Sequence, residues 1–165
     1  MNHPLEAFEL NNLTSARMDL VARCVNAALW LDHDIRRDVV VYFCFSNKIA
    51  IRIDGGVRNM NPDERNIASF FKHIQEGKSF PGISLHGVGF DDVMREFEKS
   101  KKYVLDIKGK SVDKAKFAKD AVFILGDDVG LMKDVDADKI SLGPKSYLTS
   151  HCITVLNVRL DVLGL

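Results

Sequence analysis

The stretch Ser141–Cys152, SLGPKSYLTSHC, follows a short apolar lead (Ile140, Leu142) and sets Gly-Pro, a lysine and a row of hydroxyls ahead of an apolar segment. Backbone amides at a helix N-terminus, joined by Lys145, can hold an anion. The spacing of a phosphate-cradling loop, GxxxxGK[ST], is missing, and so is GxGxxG. From its residues alone the stretch is either a ligand loop or an ordinary capped connection. A second candidate is Asp127-Asp128 in GDDVG. Adjacent carboxylates can hold a metal or move a proton, and they equally suit a turn and helix cap. Cys152 suits either a small packed residue or a nucleophile. His33, His73, His86 and His151 are scattered and read as local hydrogen-bonding groups. No His/Cys pairing has zinc spacing, so no metal is expected. Arg36 and Arg37, in HDIRRD, form a solvated cluster or a grip for phosphate, to which a planar guanidinium is suited. KSKKY, with Lys108, Lys110, Lys114, Lys116 and Lys119, is a basic stretch that reads as surface.

The elements that must position these groups follow from periodicity. LTSARMDLVARCVNAALWL predicts a helix capped by Thr14 or Ser15, with Met18, Val21, Val25, Ala28 and Leu29 on one face. VVVYFCF (39–45) predicts a strand buried on both faces, and SNK turns it into a second strand, IAIRI (49–53). NPDERNIASFFKHIQ predicts a helix with Asn61 as cap and Pro62 in the first position. GISL, KKYVLDI, AVFIL and KISL read as strands, and FDDVMREFEKS, SVDKAKFA and 147–163 as helices. Strands alternating with helices through the second half predict a parallel sheet, with ligands outside the carboxyl ends of its strands. There the loops DIKGKS, GDDVGL and GPKSYLTS gather.

Composition narrows the class. The 165 residues predict one domain, and 46% hydrophobic with 28% charged residues is a globular balance. Lys+Arg and Asp+Glu number 23 each, which excludes a non-specific nucleic-acid binder but permits a local basic face. Three cysteines without a CxxC pair suit reduced thiols. No run approaches a membrane span, and MNHPLEAFEL lacks the plan of a signal peptide, so a cytoplasmic protein is expected.

Four stretches in order, RMDLVARCVNAALWLDHDIRRDVVVYF, NPDERNIASFF, VFILGDDVGL and SLGPKSYLTSHCITVLNVRLD, resemble the archaeal tRNA (pseudouridine-54-N1)-methyltransferases, of the SPOUT class of S-adenosylmethionine-dependent RNA methyltransferases. The resemblance runs from about residue 15 to 163. It implies an α/β-knot: a Rossmann-like parallel sheet with a C-terminal trefoil knot, in a homodimer. It implies S-adenosyl-L-methionine in the knot, bound by Leu105, Gly126, Ser141, Leu142, Gly143, Pro144, Lys145, Ser146, Leu148 and Cys152. The reaction implied is methylation of N1 of pseudouridine in the tRNA T-loop, without metal or membrane. Asp19, in RMDL, matches the family acid placed to take the N1 proton, with Arg36 or Arg65 expected to hold it, and Arg17 and Arg37 expected on the RNA. The family's N-terminal strand has no counterpart in MNHPLEAFELNNLTS. Two alternatives remain: a SPOUT enzyme acting on another RNA such as ribosomal RNA, and a catalytically silent RNA-binding knot protein. Ribose methylation is disfavoured because its arginine motif is not found.

Overall fold

The computed structural model describes residues 1–131 and 133–165. Helix α1 (Met18–Leu29) buries Met18, Val21, Val25, Ala28 and Leu29, as the spacing requires. Its start differs from expectation. Thr14 and Ser15 lie in a 3-10 turn (Leu13–Ala16), and both hydroxyls are used on Asn12 instead, at 3.0 and 2.9 Å. Arg17 takes the cap position in left-handed geometry, φ 56°.

Strand β1 (Val40–Cys44) turns through residues 45–49, where the Phe45 amide donates to the Ile49 carbonyl at 2.8 Å, into β2 (Ala50–Asp54). The strands pair antiparallel from Val40↔Asp54 to Cys44↔Ala50. β1 is an edge strand with Val40 exposed and Val41 and Tyr42 half-buried, not one buried on both faces. Helix α2 (Glu64–Gln75) is capped by Asp63, whose side chain accepts from the Asn66 amide at 2.8 Å. Asn61 is displaced from that role because its own amide is taken by the Asn66 side chain. β3 (Ile83–His86) completes the sheet in the order β1-β2-β3. α1 and α2 bury Leu29, Ile67 and Phe71 together with Ile51 and Ile53 of β2. Fully burying an aliphatic or aromatic side chain contributes about 1.5–3 kcal/mol.

The N-terminal segment forms no strand, yet it is fastened across this core. Leu5 and Phe8 are buried, the Asn47 side chain bonds both the amide and carbonyl of Leu5, and the Ser46 amide donates to the His3 carbonyl.

After α3 (Phe90–Glu96), the second half builds a separate parallel sheet from β4 (Lys102–Ser111), β5 (Val122–Ile124) and β6 (Asp138–Ser141), in the order β5-β4-β6. SVDKAKFA keeps only one 3-10 turn, Val112–Lys114. Beyond it Phe117 packs edge-on against Tyr103 and Phe123, at 5.1 and 5.4 Å between ring centres, and that draws the chain out of helix. Ile140 pairs with both Leu105 and Lys110, so residues 106–109 leave the ladder between them. Gly109 is required in this detour, since a Cβ there would lie 2.5 Å from the Ile140 amide nitrogen.

Helix α4 (Thr149–Leu163) then returns to the first half. The Asn157 side chain donates to the Ala27 and Ala28 carbonyls at the end of α1, and Arg36 grips Asp161 through two bonds of 2.6 Å. Gly109→Ala should cost about 1–3 kcal/mol in chemical denaturation, the range for forcing extra atoms into a packed interior.

Candidate functional site

At the carboxyl ends of the parallel strands, three loops line a cleft that is open to solvent. Leu105, Asp106 and Ile107 enter where β4 leaves its ladder. Leu125 to Asp127, with Gly130 and Leu131, follow β5, and Ser141 to Gly143, with Lys145 to Tyr147, follow β6. Thr149 and Cys152, on the first turn of α4, close the wall.

Each loop has a local reason for its shape. Residues 127–130 close on themselves through reciprocal amide bonds of 3.3 and 3.2 Å. That turn runs so close to Gly126 that a Cβ there would stand 2.5 Å from the Gly130 carbonyl carbon. The Thr149 hydroxyl donates to the Gly126 carbonyl at 2.7 Å and ties α4 to the β5 loop. Ser141 Oγ donates to the Gly143 carbonyl and accepts from its amide, which folds the third loop inward.

Of the ten residues expected around the cofactor, the cleft gathers Leu105, Gly126, Ser141, Leu142, Gly143, Lys145, Ser146 and Cys152. Pro144 and Leu148 do not line it, and both are exposed. Ile107, Leu131, Tyr147 and Thr149 were placed by the sequence only as members of the loops DIKGKS, GDDVGL and GPKSYLTS, expected at the carboxyl ends of the parallel strands, and Leu125 was read as a strand residue.

The lining suits a particular ligand chemistry. Leu105, Ile107, Leu125, Leu131 and Leu142 offer apolar walls, Asp106 and Asp127 offer carboxylates, and Lys145 offers one ammonium. Two carboxylates disfavour a pyrophosphate; they favour a ligand with a flat apolar part and a cationic or zwitterionic end.

Burial opposes ionisation of Asp127, but bonds from the Asn2 amide and side chain and from the Val129 amide outweigh it and hold the carboxyl below its ordinary value. Asp106 is also lowered, first by the Lys108 amide and then by Lys139. Burial raises the thiol of Cys152, and pushes that of Cys24 up to about 12, so neither is poised as a thiolate nucleophile. The Asp127–Asp128 pair makes a turn, as one reading of the sequence had it, but among the described residues no helix follows directly for it to cap. His3, Asp127 and Asp128 do bring one metal-ligating atom each within 4.8 Å of one another. Asn2 and Arg17 already engage the two carboxylates.

Beside this loop lies the start of α1. Arg17 pairs with Asp128 at 3.0 Å, which brings the N-terminus of α1 to the rim of the cleft. Asp19 is 9% exposed. Arg23, one turn on, holds its Oδ2 and also donates from Nε to the Asp19 carbonyl at 3.1 Å. Neither expected holder does so. Arg36 is engaged with Asp161, and Arg65 is exposed on α2. The i,i+4 spacing of Asp19 and Arg23 was the available signal. Arg37 donates to the Gly55 carbonyl and to Asp34. Two buried polar atoms have no partner among the described residues, Asp19 Oδ1 and Arg17 Nε.

Comparison with known proteins places the chain. A family model described as "Putative SAM-dependent RNA methyltransferase" matches residues 5–165. The tRNA (pseudouridine(54)-N(1))-methyltransferase of Pyrococcus abyssi is 34% identical over 193 residues, covering 99% of this chain and 94% of the relative. The enzyme of the same name from Methanocaldococcus jannaschii is 34% identical over 88% of this chain and 83% of its own length. Among solved structures, Archaeoglobus fulgidus Nep1 bound to S-adenosylhomocysteine matches with TM-score 0.64 and 17% identity, over 90% of this chain and 72% of that one. It shares the fold, that of the SPOUT class.

Because the Asp127 carboxyl is lowered in the fold, its contribution is present above its ordinary value of 3.8 and is lost as pH falls through the folded value. Asp127→Asn should therefore cost about 1–2 kcal/mol at pH 7. In urea titrations at successive pH values, that gap from wild type should close below 3.8.

Proposed function

The chain belongs to the family of S-adenosylmethionine-dependent RNA methyltransferases, and from that premise we propose that it methylates N1 of pseudouridine at position 54 of tRNA. The observation that carries the reading is the buried, unpartnered Asp19 Oδ1 beside a three-loop cleft of suitable chemistry.

S-adenosylmethionine, when bound, supplies an activated methyl on a sulfonium. The cleft fits it: apolar walls and backbone edges for adenine, Asp106 and Asp127 for the cationic end, and Lys145 for the methionine carboxylate. The chain's own work is positioning and proton removal. Asp19 Oδ1 takes the N1 proton as N1 bonds the methyl and the carbon–sulfur bond breaks. Arg23 fixes the carboxylate through its other oxygen and leaves Oδ1 without a partner. Uridine carries its glycosidic bond at N1 and has no proton there, so the state of the base is itself a filter. Arg17 lies at the edge of this region and contacts the RNA, and Arg37, beside Gly55, contacts it farther out, while Arg36 serves as the tie to α4.

The C-terminal segment forms a trefoil knot, a reading that rests on the fold shared with the SPOUT class. The single unit 1–165 works as a homodimer in the cytosol. No helix among the described residues is long and apolar enough to cross a membrane. In favour of the dimer, α4 and its flanks expose Leu148, Val155, Val158, Val162 and Leu165 at alternating spacings of three, four and seven residues, a stripe that a second copy would cover.

Labelled S-adenosylmethionine offered to two transcripts of one tRNA, with pseudouridine or uridine at the target, should label only the first. Label in both would sink the reading. Asp19→Asn should lower kcat by about 10²–10⁴-fold, the usual worth of a positioned base, with cofactor affinity retained. Val155→Asp combined with Val158→Asp should shift the protein to monomer in sedimentation.

A further inference from the structure

A chain of zero formal charge must concentrate its basic groups locally if it is to grip a polyanion. One segment does so. From Lys108 to Lys119 it carries Lys108, Lys110, Lys114, Lys116 and Lys119, all exposed, and a single acid, Asp113. That acid is already neutralised by Arg159 of α4 at 2.8 Å. None of the five lysines forms an ion pair with another described residue. Other lysines of this half are paired: Lys101 with Asp138, Lys139 with Asp106, and Lys133 with Asp91.

The segment is also held in place, unlike a solvated tail. Lys110 and Ser111 pair with β6, Val112 is buried, and Phe117 sits between Tyr103 and Phe123. The Tyr103 hydroxyl bonds the Lys116 carbonyl at 2.8 Å. Its first residue adjoins the cleft, because Asp106 and Ile107 line the wall and the Lys108 amide bonds Asp106 at 2.9 Å. The five ammonium groups are thus carried on an anchored backbone that starts at the rim of the site.

We infer that residues 108–119 form a phosphate-binding strip that holds the backbone of the RNA substrate outside the target loop. The inference rests on the reading of the protein as a tRNA methyltransferase and adds where the rest of the tRNA lies. Lysine suits this task, since a flexible point charge follows phosphates without reading bases. The strip contributes affinity and leaves the methyl-transfer step to the cleft and α1.

The test is a variant with all five lysines replaced by glutamine, compared with wild type and with the five-arginine version. Affinity for tRNA is measured across sodium chloride concentrations, alongside cofactor affinity, thermal melting, and kcat and KM. The slope of log affinity against log salt should fall by about 0.7–0.9 for each lysine that meets a phosphate. The KM for tRNA should rise roughly tenfold or more, with kcat, cofactor affinity and melting unchanged, and arginine should restore the slope. An unchanged slope and KM in the glutamine variant overturn the strip while leaving the pseudouridine reading intact. Label entering uridine RNA while the slope still falls overturns that reading alone. A wild-type protein whose tRNA binding is flat in salt overturns both.

Discussion

The pairing of β6 with β4 is the constraint on which the cleft depends. β6 is four residues long, and at Ile140 it is bonded to Leu105 and to Lys110. Both pairings hold only because residues 106–109 swing out of the ladder and because residue 109 has no side chain to strike Ile140. That detour pushes Asp106 and Ile107 into the wall, and the end of β6 delivers Ser141 and Leu142 opposite them. With the strands fixed, α4 starts at one place only, where Thr149 meets the Gly126 carbonyl. The three loops are therefore set by one register rather than by three separate local preferences.

The same register decides where charge falls. Leaving the ladder exposes Lys108, and the lysine-bearing run continues from there along the end of β4 and beyond. Acids gather on the other side of the cleft, where Asp127 and Asp128 engage the N-terminal segment and Arg17. Even charge totals thus conceal a division around one opening, basic along residues 108–119 and acidic at the β5 loop. A cationic sulfonium and a polyanionic RNA want opposite fields, and a short span of chain supplies both.

Much of the frame was legible in the residues. Met18, Val21, Val25, Ala28 and Leu29 predicted the buried face of α1, and the strand runs fell within a residue or two of their places, except that β4 runs four residues past KKYVLDI. The errors share a cause, competition for a side chain or backbone by a partner distant from the local pattern. Thr14 and Ser15 were spent on Asn12, and Asn61 on Asn66. VVVYFCF looked doubly buried because its composition is apolar, yet at a sheet edge composition does not reveal which face lacks a neighbour. Phe117 overrode a helical stretch through rings on two other strands. At the site, residues on the loops themselves were readable, while Arg23 was passed over because the family pattern drew attention to arginines farther along the chain.

The N-terminal segment shows how a stretch without a strand pattern is fixed in the fold. No period-two pattern exists in MNHPLEAFELNNLTS, and no strand forms. Two apolar residues, Leu5 and Phe8, fill the core instead, and polar side chains on either side make the bonds that a strand ladder would have made: Asn47 to Leu5, Asn2 to Asp127 and Gly130. The Asn2 bonds end on the β5 loop, and so does the ion pair from Arg17. The strap and α1 are thereby fastened to one turn of the cleft from opposite directions. On the proposed mechanism, the site is divided between the antiparallel half, which owns Asp19, and the parallel half, which owns the cleft, and such a joint would keep proton acceptor and methyl donor in line. Catalysis by positioning tolerates little play between them, since an error near 1 Å can cost about a hundredfold in rate. The substitution of side-chain bonds for a strand is sufficient because they act at the joint itself.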